Sequence, residues 1–128
     1  MIQLNYRDSR PIYEQIKDGI KQLIYNEVLC ADDKLPSVRE LASKLAINPN
    51  TISRAYKELE QEGVIYSLSG KGTFINGEFQ GKEEKKKELL AQFDEITNEL
   101  LKFEVAPEVL MERIQTLVKG GFTDDSGK

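Results

Sequence analysis

The side chains in this chain best suited to chemistry are polar and basic ones gathered between Ser37 and Lys71. Ser37 and Arg39 open one predicted helix. Asn50, Thr51, Ser53, Arg54 and Lys57 lie along the next, and Gly70 and Lys71 occupy the turn of a predicted hairpin. A helix that enters a major groove needs short polar side chains near its N-terminus for base edges and flanking cations for phosphates. Asn50, Thr51 and Ser53 are of the first kind. Arg54 and Lys57 are of the second, although Arg54 can equally read guanine. The helix N-terminus adds free N–H groups and a partial positive charge. Arg39 lies toward the same groove edge, Gly70 lets the backbone approach a minor groove or a phosphate, and Lys71 supplies charge. Singly, each has a plainer reading. Arg54 and Lys57 can be solvated helix residues, Arg39 the partner of a nearby carboxylate, and Asn50, Thr51 and the glycines ordinary first-turn and hairpin residues. Their convergence favours double-stranded DNA as the partner.

Other chemistry has little to work with. The chain has no histidine and a single cysteine, Cys30. That removes the commonest general base and any zinc site built from Cys and His, so neither an enzyme nor a cofactor is expected. Cys30 can form no intrachain disulfide, which fits a reducing cytoplasm, and its apolar neighbours suggest a small buried hydrophobe. No apolar run approaches the roughly 18 residues of a membrane span, and the N-terminus lacks the regions of a signal peptide. The net charge of −4 argues against indiscriminate polyanion binding. It is unevenly spread: residues 1–80 sum to −1 and 81–128 to −3, whereas 34–57 carry +4. Charges more than about 10 Å apart are largely screened at moderate salt, so the local sign governs a docking face.

The elements that must hold these residues follow from periodicity. Ile12, Ile16, Ile20, Leu23 and Ile24 recur at helical spacing after Pro11, with Ser9 as a candidate cap and Glu14, Lys17, Asp18, Lys21 and Gln22 as a solvent face. The pattern fades after Leu29, and 31–34 reads as a loop. Ser37-Val38-Arg39-Glu40 is a capping box opening a second helix, whose stripe is Val38, Leu41, Ala42 and Leu45. Ala46 and Ile47 make a turn. Asn48 caps a third helix with Pro49 at its first position, Ile52, Ala55, Tyr56 and Leu59 facing inward, and Gly63 ending it. Two β-prone runs, 64–68 and 73–76, flank Ser69-Gly70-Lys71-Gly72 and predict a hairpin. The order is a helix-turn-helix followed by a wing.

Residues 77–81 read as a short hinge before a helix over 82–104, roughly 34 Å long at 1.5 Å per residue. Leu89, Phe93, Ile96, Leu100 and Phe103 are spaced as the inner seam of a coiled coil. A last helix opens at Pro107 with Leu110, Ile114 and Leu117 on one side and stops at Gly120-Gly121. The fold class is therefore mainly α with a small β-hairpin: a winged helix-turn-helix over 1–78, two helices over 79–122 that pair copies into a homodimer, and a disordered tail over 123–128. A competing reading is a winged-helix module that docks a protein. It expects apolar anchors on the outer face of the third helix, and there are none.

The stretches Leu35-Pro36-Ser37-Val38-Arg39-Glu40-Leu41-Ala42, Asn48-Pro49-Asn50-Thr51, Glu62-Gly63 and Gly70-Lys71-Gly72-Thr73-Phe74 closely resemble the GntR family of bacterial transcription regulators. The likeness covers about residues 10–76, and the short helical C-terminus resembles that of the YtrA subfamily. The resemblance implies a dimeric winged-helix regulator, most often a repressor, on an operator with inverted symmetry, often in a transporter operon. It implies DNA contacts for Arg39, Asn50, Thr51 and Gly70. It names no small-molecule effector. Some members have arginines where Pro49 and Ser53 stand here, so the operator sequence does not carry over. Glycines common before the second helix are replaced by Glu27 and Asp32, which leaves that loop's path open.

Overall fold

The computed structural model of the protein describes residues 2–120. In chain order it holds α1 (Ile12–Tyr25), α2 (Val38–Leu45), α3 (Pro49–Gln61), β1 (Ile65–Leu68), β2 (Gly72–Ile75), α4 (Gly81–Lys102) and α5 (Pro107–Val118). Two compact units divide within α4, one running to Glu84 and the other starting at Lys85. The tail expected to be disordered, 123–128, lies outside the described residues, as does Gly121.

In the first unit α3 packs against α1, α2 and β1. Its inward positions Ile52, Ala55, Tyr56 and Leu59 are all buried, because their spacing forms one stripe wide enough to serve several neighbours. Ile16 and Ile20 of α1, Leu41 and Ala42 of α2, and Leu35, Val64, Ile65 and Ile75 complete the core. The Tyr56 hydroxyl donates to the Pro36 carbonyl at 2.6 Å and ties α3 to the entry of α2. Burial pushes this phenol up to about 12, so it remains a donor.

The helix-turn-helix is terminated by its own residues. Ser37 Oγ accepts from the Glu40 N–H at 3.1 Å, and Glu40 accepts from the Ser37 N–H at 2.8 Å. That capping box satisfies two donors that the first turn of α2 would otherwise leave orphaned. Ala46 turns the chain in a left-handed conformation, and Asn48 Oδ1 accepts from the Asn50 N–H at 2.8 Å to start α3.

Around α1 the structure departs from expectation. No side chain caps the helix; Pro11 precedes it and its carbonyl takes the Glu14 and Gln15 N–H groups, so Ser9 is not the cap. The helix stops at Tyr25, before Leu29. There Glu27 turns left-handed at φ 62°, and the Val28 N–H closes on the Leu23 carbonyl at 2.8 Å. Asp32 is left-handed too, at φ 67°. Glu27 and Asp32 are the two positions that replace the glycines common before the second helix, and the backbone keeps a glycine-like path without them. Cys30 is exposed rather than buried, because it sits in the turn between these residues with its N–H bonded to Asp33 Oδ2. Gln15 and Lys17 are buried although the helical wheel put Lys17 on the solvent face; Gln15 is taken up by backbone bonds to Asn5 and Arg10.

Residues 31–34 are not a plain loop either. The Asp32 N–H donates to the Ile75 carbonyl at 2.8 Å, the Ile75 N–H to Asp33 at 2.9 Å, and the Leu35 N–H to Thr73 at 2.8 Å, with Lys34 bridged to Phe74. This segment thus lies along β2 as a third, short edge. Within the hairpin Tyr66 stands opposite Phe74 and Ser67 opposite Thr73. The two-residue period turns Ile65 and Ile75 into the core and leaves Tyr66, Leu68, Gly72 and Phe74 on the outer face. There the Tyr66 and Phe74 rings stack with centroids 5.6 Å apart.

The expected hinge is a pinned turn. Asn76 donates its amide to the Gly63 carbonyl at 2.9 Å and accepts from the Glu78 N–H at 3.0 Å. Phe79 stacks on Tyr25 at 6.5 Å, and a Cβ on Gly81 would overlap the Phe79 ring. In the second unit neither α4 nor α5 buries a residue among those described. Leu89, Phe93, Ile96 and Leu100 on α4 and Ile114 and Leu117 on α5 are all exposed. Leu110 is half-buried, and Phe103, just past the end of α4, is 81% exposed.

A left-handed conformation costs a non-glycine residue about 1–2 kcal/mol, so Glu27→Gly is expected to raise folding stability by about 0.5–1 kcal/mol after the added freedom of the unfolded chain is counted. Leu59→Ala, which opens a cavity under α3, is expected to lower it by about 2–5 kcal/mol. Urea denaturation of both variants measures the two effects. A destabilised Glu27→Gly protein would contradict the strain argument.

Candidate nucleic-acid interface

Asn50, Ser53, Arg54 and Lys57 are exposed and lie at i, i+3, i+4 and i+7 along α3, opposite its buried stripe. Thr51 is half-buried at the edge of this face. The backbone N–H of Asn50 is used by the cap, which leaves its side-chain amide available. Ser37 Oγ is likewise spent on the α2 cap, so Ser37 serves the site first by fixing where α2 begins. Gly70, at φ 76°, has open space around it at the wing turn, which the Lys71 N–H closes onto the Leu68 carbonyl at 2.9 Å.

A charge network fastens the back of α3 to α1. Lys17, whose side chain is 8% exposed, donates to Glu58 at 2.8 Å and to Glu62 at 2.6 Å. Lys21 reaches Glu62 at 2.8 Å, and Arg54 reaches Glu58 at 3.3 Å. Arg54 also donates to the Tyr13 hydroxyl at 3.0 Å, with its guanidinium 3.7 Å from the Tyr13 ring centroid. Desolvation by itself lowers the pKa of Lys17, but the hydrogen bonds to Glu58 and Glu62 outweigh it and raise the pKa. Hydrogen bonding to Lys17 holds Glu58 below the ordinary carboxylate value; at Glu62 burial opposes the same trend and the two lysines prevail. Arg54 therefore stands on the outer stripe while part of its charge is met from behind.

The other cations of the site form no ion pair, although Glu40, held low first by its bonds to Ser37, also feels the charges of Lys34 and Lys44. Among the described residues, Lys34, Arg39, Lys44, Lys57 and Lys71 have no carboxylate within ion-pair distance, whereas Arg10, Lys17, Lys21, Arg54 and Lys82 each do. The acids of the first unit are largely occupied in holding the fold, and the unpaired positive charge concentrates on the helix-turn-helix and wing. Uncompensated cations around short polar side chains are what a polyanion with readable edges requires.

Residues 12–75 match the sequence profile of the bacterial regulatory proteins of the gntR family. The chain belongs to the GntR family. It is 55% identical over 76 residues to the HTH-type transcriptional repressor YtrA of Bacillus subtilis, a match that spans 59% of this chain and 58% of that protein. The crystal structure of a transcriptional regulator from Oenococcus oeni superposes with a TM-score of 0.73 at 39% identity, covering 92% of this chain and 99% of that one. The DNA-binding domain of AraR in complex with operator ORE1 aligns at TM-score 0.51 and 31% identity over 59% of this chain and 92% of that one. The first unit is thus the winged-helix domain of a GntR-family transcriptional regulator, and the mainly α architecture with one small hairpin stands.

Sequence reasoning missed the part of this GntR-family site that faces inward. Glu58 and Glu62 are four apart, which places both on one side of α3, but nothing in the pattern names the partner across from them. Tyr13 beside Arg54 was equally hidden, since the two lie 41 positions apart and meet only once α1 and α3 pack.

Because Glu58 and Glu62 titrate lower in the folded protein than their ordinary value of 4.5, they stabilise the fold above that pH. That contribution disappears as pH falls through their folded values. A Glu58→Gln/Glu62→Gln variant is expected to be less stable than the unmodified protein near neutrality, with the gap closing as the pH is taken below about 4.5 in urea titrations. A gap that does not change with pH would show that the charge network is not its source.

Proposed function

We propose that the protein is a sequence-specific DNA-binding transcription regulator that acts as a repressor. In this reading residues 1–78 hold the operator, and residues 79–122 join two copies into a homodimer on inverted half-sites. The observation that carries it is the division of charge: apart from Arg54, the cations of the helix-turn-helix and wing form no ion pair among the described residues, while those behind α3 are paired. Asn50, Thr51 and Ser53 approach base edges from the start of α3, Arg39 and Lys57 hold phosphates, Arg54 reads a base or a phosphate from its place on Tyr13, and Gly70 and Lys71 bring the wing to the adjoining groove. The operator-bound AraR domain supports the same use of this fold, and the repressor YtrA supports the direction of control. A transporter operon is the regulated unit we favour, from the likeness to the YtrA subfamily.

The homodimer rests on the exposed seam of Leu89, Phe93, Ile96, Leu100 and Phe103, continued by Leu110, Ile114 and Leu117. A run of apolar side chains left in water is costly, and a second copy presenting the same seam removes it. No described helix is long and apolar enough to cross a membrane.

An electrophoretic shift on DNA from upstream of the protein's own gene is expected at low salt, and its absence there would overturn the proposal. Arg39→Gln and Lys57→Gln are each expected to lower the slope of log affinity against log salt by about one. Phe93→Glu is expected to convert the dimer to a monomer in sedimentation and to weaken operator binding. A compact monomer for the unmodified chain at micromolar concentration would remove the dimer from the scheme.

A further inference from the structure

Lys34 lies in the least promising setting for a DNA contact, directly after Asp32 and Asp33. Neither acid forms an ion pair with it, because each carboxylate is turned to another donor. Asp32 Oδ1 takes the Tyr66 hydroxyl at 2.7 Å, and Asp33 Oδ2 takes the Cys30 N–H at 2.8 Å. The Lys34 backbone is bridged to Phe74, so its side chain leaves on the outer face of the wing that Tyr66, Phe74 and Gly72 share. It then runs along that face toward the turn. A Cβ built on Gly72 would lie 2.7 Å from Lys34 Cε and 3.5 Å from Nζ, so the ammonium rests in the lane that the missing side chain leaves. Gly72 is at φ 121°, which already favours glycine; the lane is a second use of the same residue. No carboxylate among the described residues is within ion-pair distance of Nζ.

We infer that Lys34 is the second cation of the wing and holds a DNA backbone phosphate beside the groove that Gly70 and Lys71 enter. This rests on the DNA-binding reading above and extends it to a residue outside the helix-turn-helix. Three features act together: the strand-like pairing of 32–35 with β2 fixes where the stem starts, Gly72 lets it lie flat, and no carboxylate among the described residues closes on the ammonium, although Glu40 lies near enough to feel its charge. Lys34 positions the wing against the duplex without reading sequence, since an ammonium on a phosphate carries no base information.

The test uses the full chain and fluorescence anisotropy on two labelled duplexes, one selected from a random pool by the unmodified protein and one scrambled. Lys34→Gln keeps a stem in the lane and removes the charge. It is expected to weaken binding to both duplexes by the same factor and to lower the salt slope by about one, with Lys34→Arg restoring both. An unchanged slope and affinity for Lys34→Gln, on a protein that otherwise binds with normal salt dependence, overturns the inference and leaves the DNA-binding reading intact. So does a drop in melting temperature with no change in slope, which would make Lys34 a structural residue. Loss confined to the selected duplex would also overturn it, because that marks base readout. If the unmodified protein binds neither duplex, the DNA-binding reading fails and the inference falls with it.

Discussion

The ammonium of Lys17 between Glu58 and Glu62 is the contact on which the rest of the first unit depends. Helix α3 carries carboxylates on one side and a polar, basic stripe on the other. Left alone, those carboxylates would repel each other and pull down the positive potential of the stripe. Lys17 and Lys21 neutralise them from α1 at 2.6–2.8 Å. A buried ion pair gains little net stability, because desolvation offsets most of the Coulomb attraction. Its value here lies in where it puts charge and in the register it imposes between α1 and α3. Apolar packing of Ile16 and Ile20 alone would tolerate a small slide of α3, whereas a lysine bound to two carboxylates one helical turn apart tolerates much less.

The same bookkeeping resolves the conflict between a net charge of −4 and a nucleic-acid surface. What a phosphate meets is the local field within about a Debye length, roughly 8–10 Å at moderate salt. Within the first unit most acids near the site have been given structural tasks. Glu40 closes the α2 cap, Glu58 and Glu62 hold α1, Asp33 binds the Cys30 N–H and Asp32 the Tyr66 hydroxyl. The backbone and hydroxyl donors that occupy Glu40, Asp32 and Asp33 do not cancel their charge, but none of the three closes an ion pair on Arg39, Lys57 or Lys71. An acidic chain can therefore present a basic face.

Local signals made most of this architecture legible before any coordinates. Ser37 to Glu40, Asn48-Pro49 and Gly63 state where α2 and α3 begin and end, because caps act within one helical turn and leave their residues adjacent in sequence. The buried stripe of α3 was readable in full for the same reason. What stayed hidden depends on pairs far apart in the chain. Lys17 meets Glu58 and Glu62 only after α1 and α3 pack, so a helical wheel placed it in solvent. Residues 32–35 become an edge of the wing through bonds to residues some forty positions on, with no β-prone run to announce it. Glu27 and Asp32 concealed left-handed turns, since the usual marker of such a turn is glycine. Cys30 was misread for the same reason, its apolar neighbours suggesting a core that the turn in fact carries to the surface.

The C-terminal helices invert the logic of the first unit. There the chain buries its apolar groups and leaves selected charges unpaired; here the charges are solvated and the apolar groups are left over. The seam from Leu89 to Phe103 spans roughly 20 Å of helix at 1.5 Å per residue, which is long enough to define an axis but not to build a core. On the homodimer reading this shortage is useful. Half-sites of an inverted repeat lie about one helical turn of DNA apart, or a multiple of it, so the partner must be held at a set spacing and orientation. A seam of alternating three- and four-residue steps specifies both, since a slip of one position moves every apolar side chain off its partner. The residues that read as surplus hydrophobes in one chain are, on this reading, what converts a single weak groove contact into a paired one.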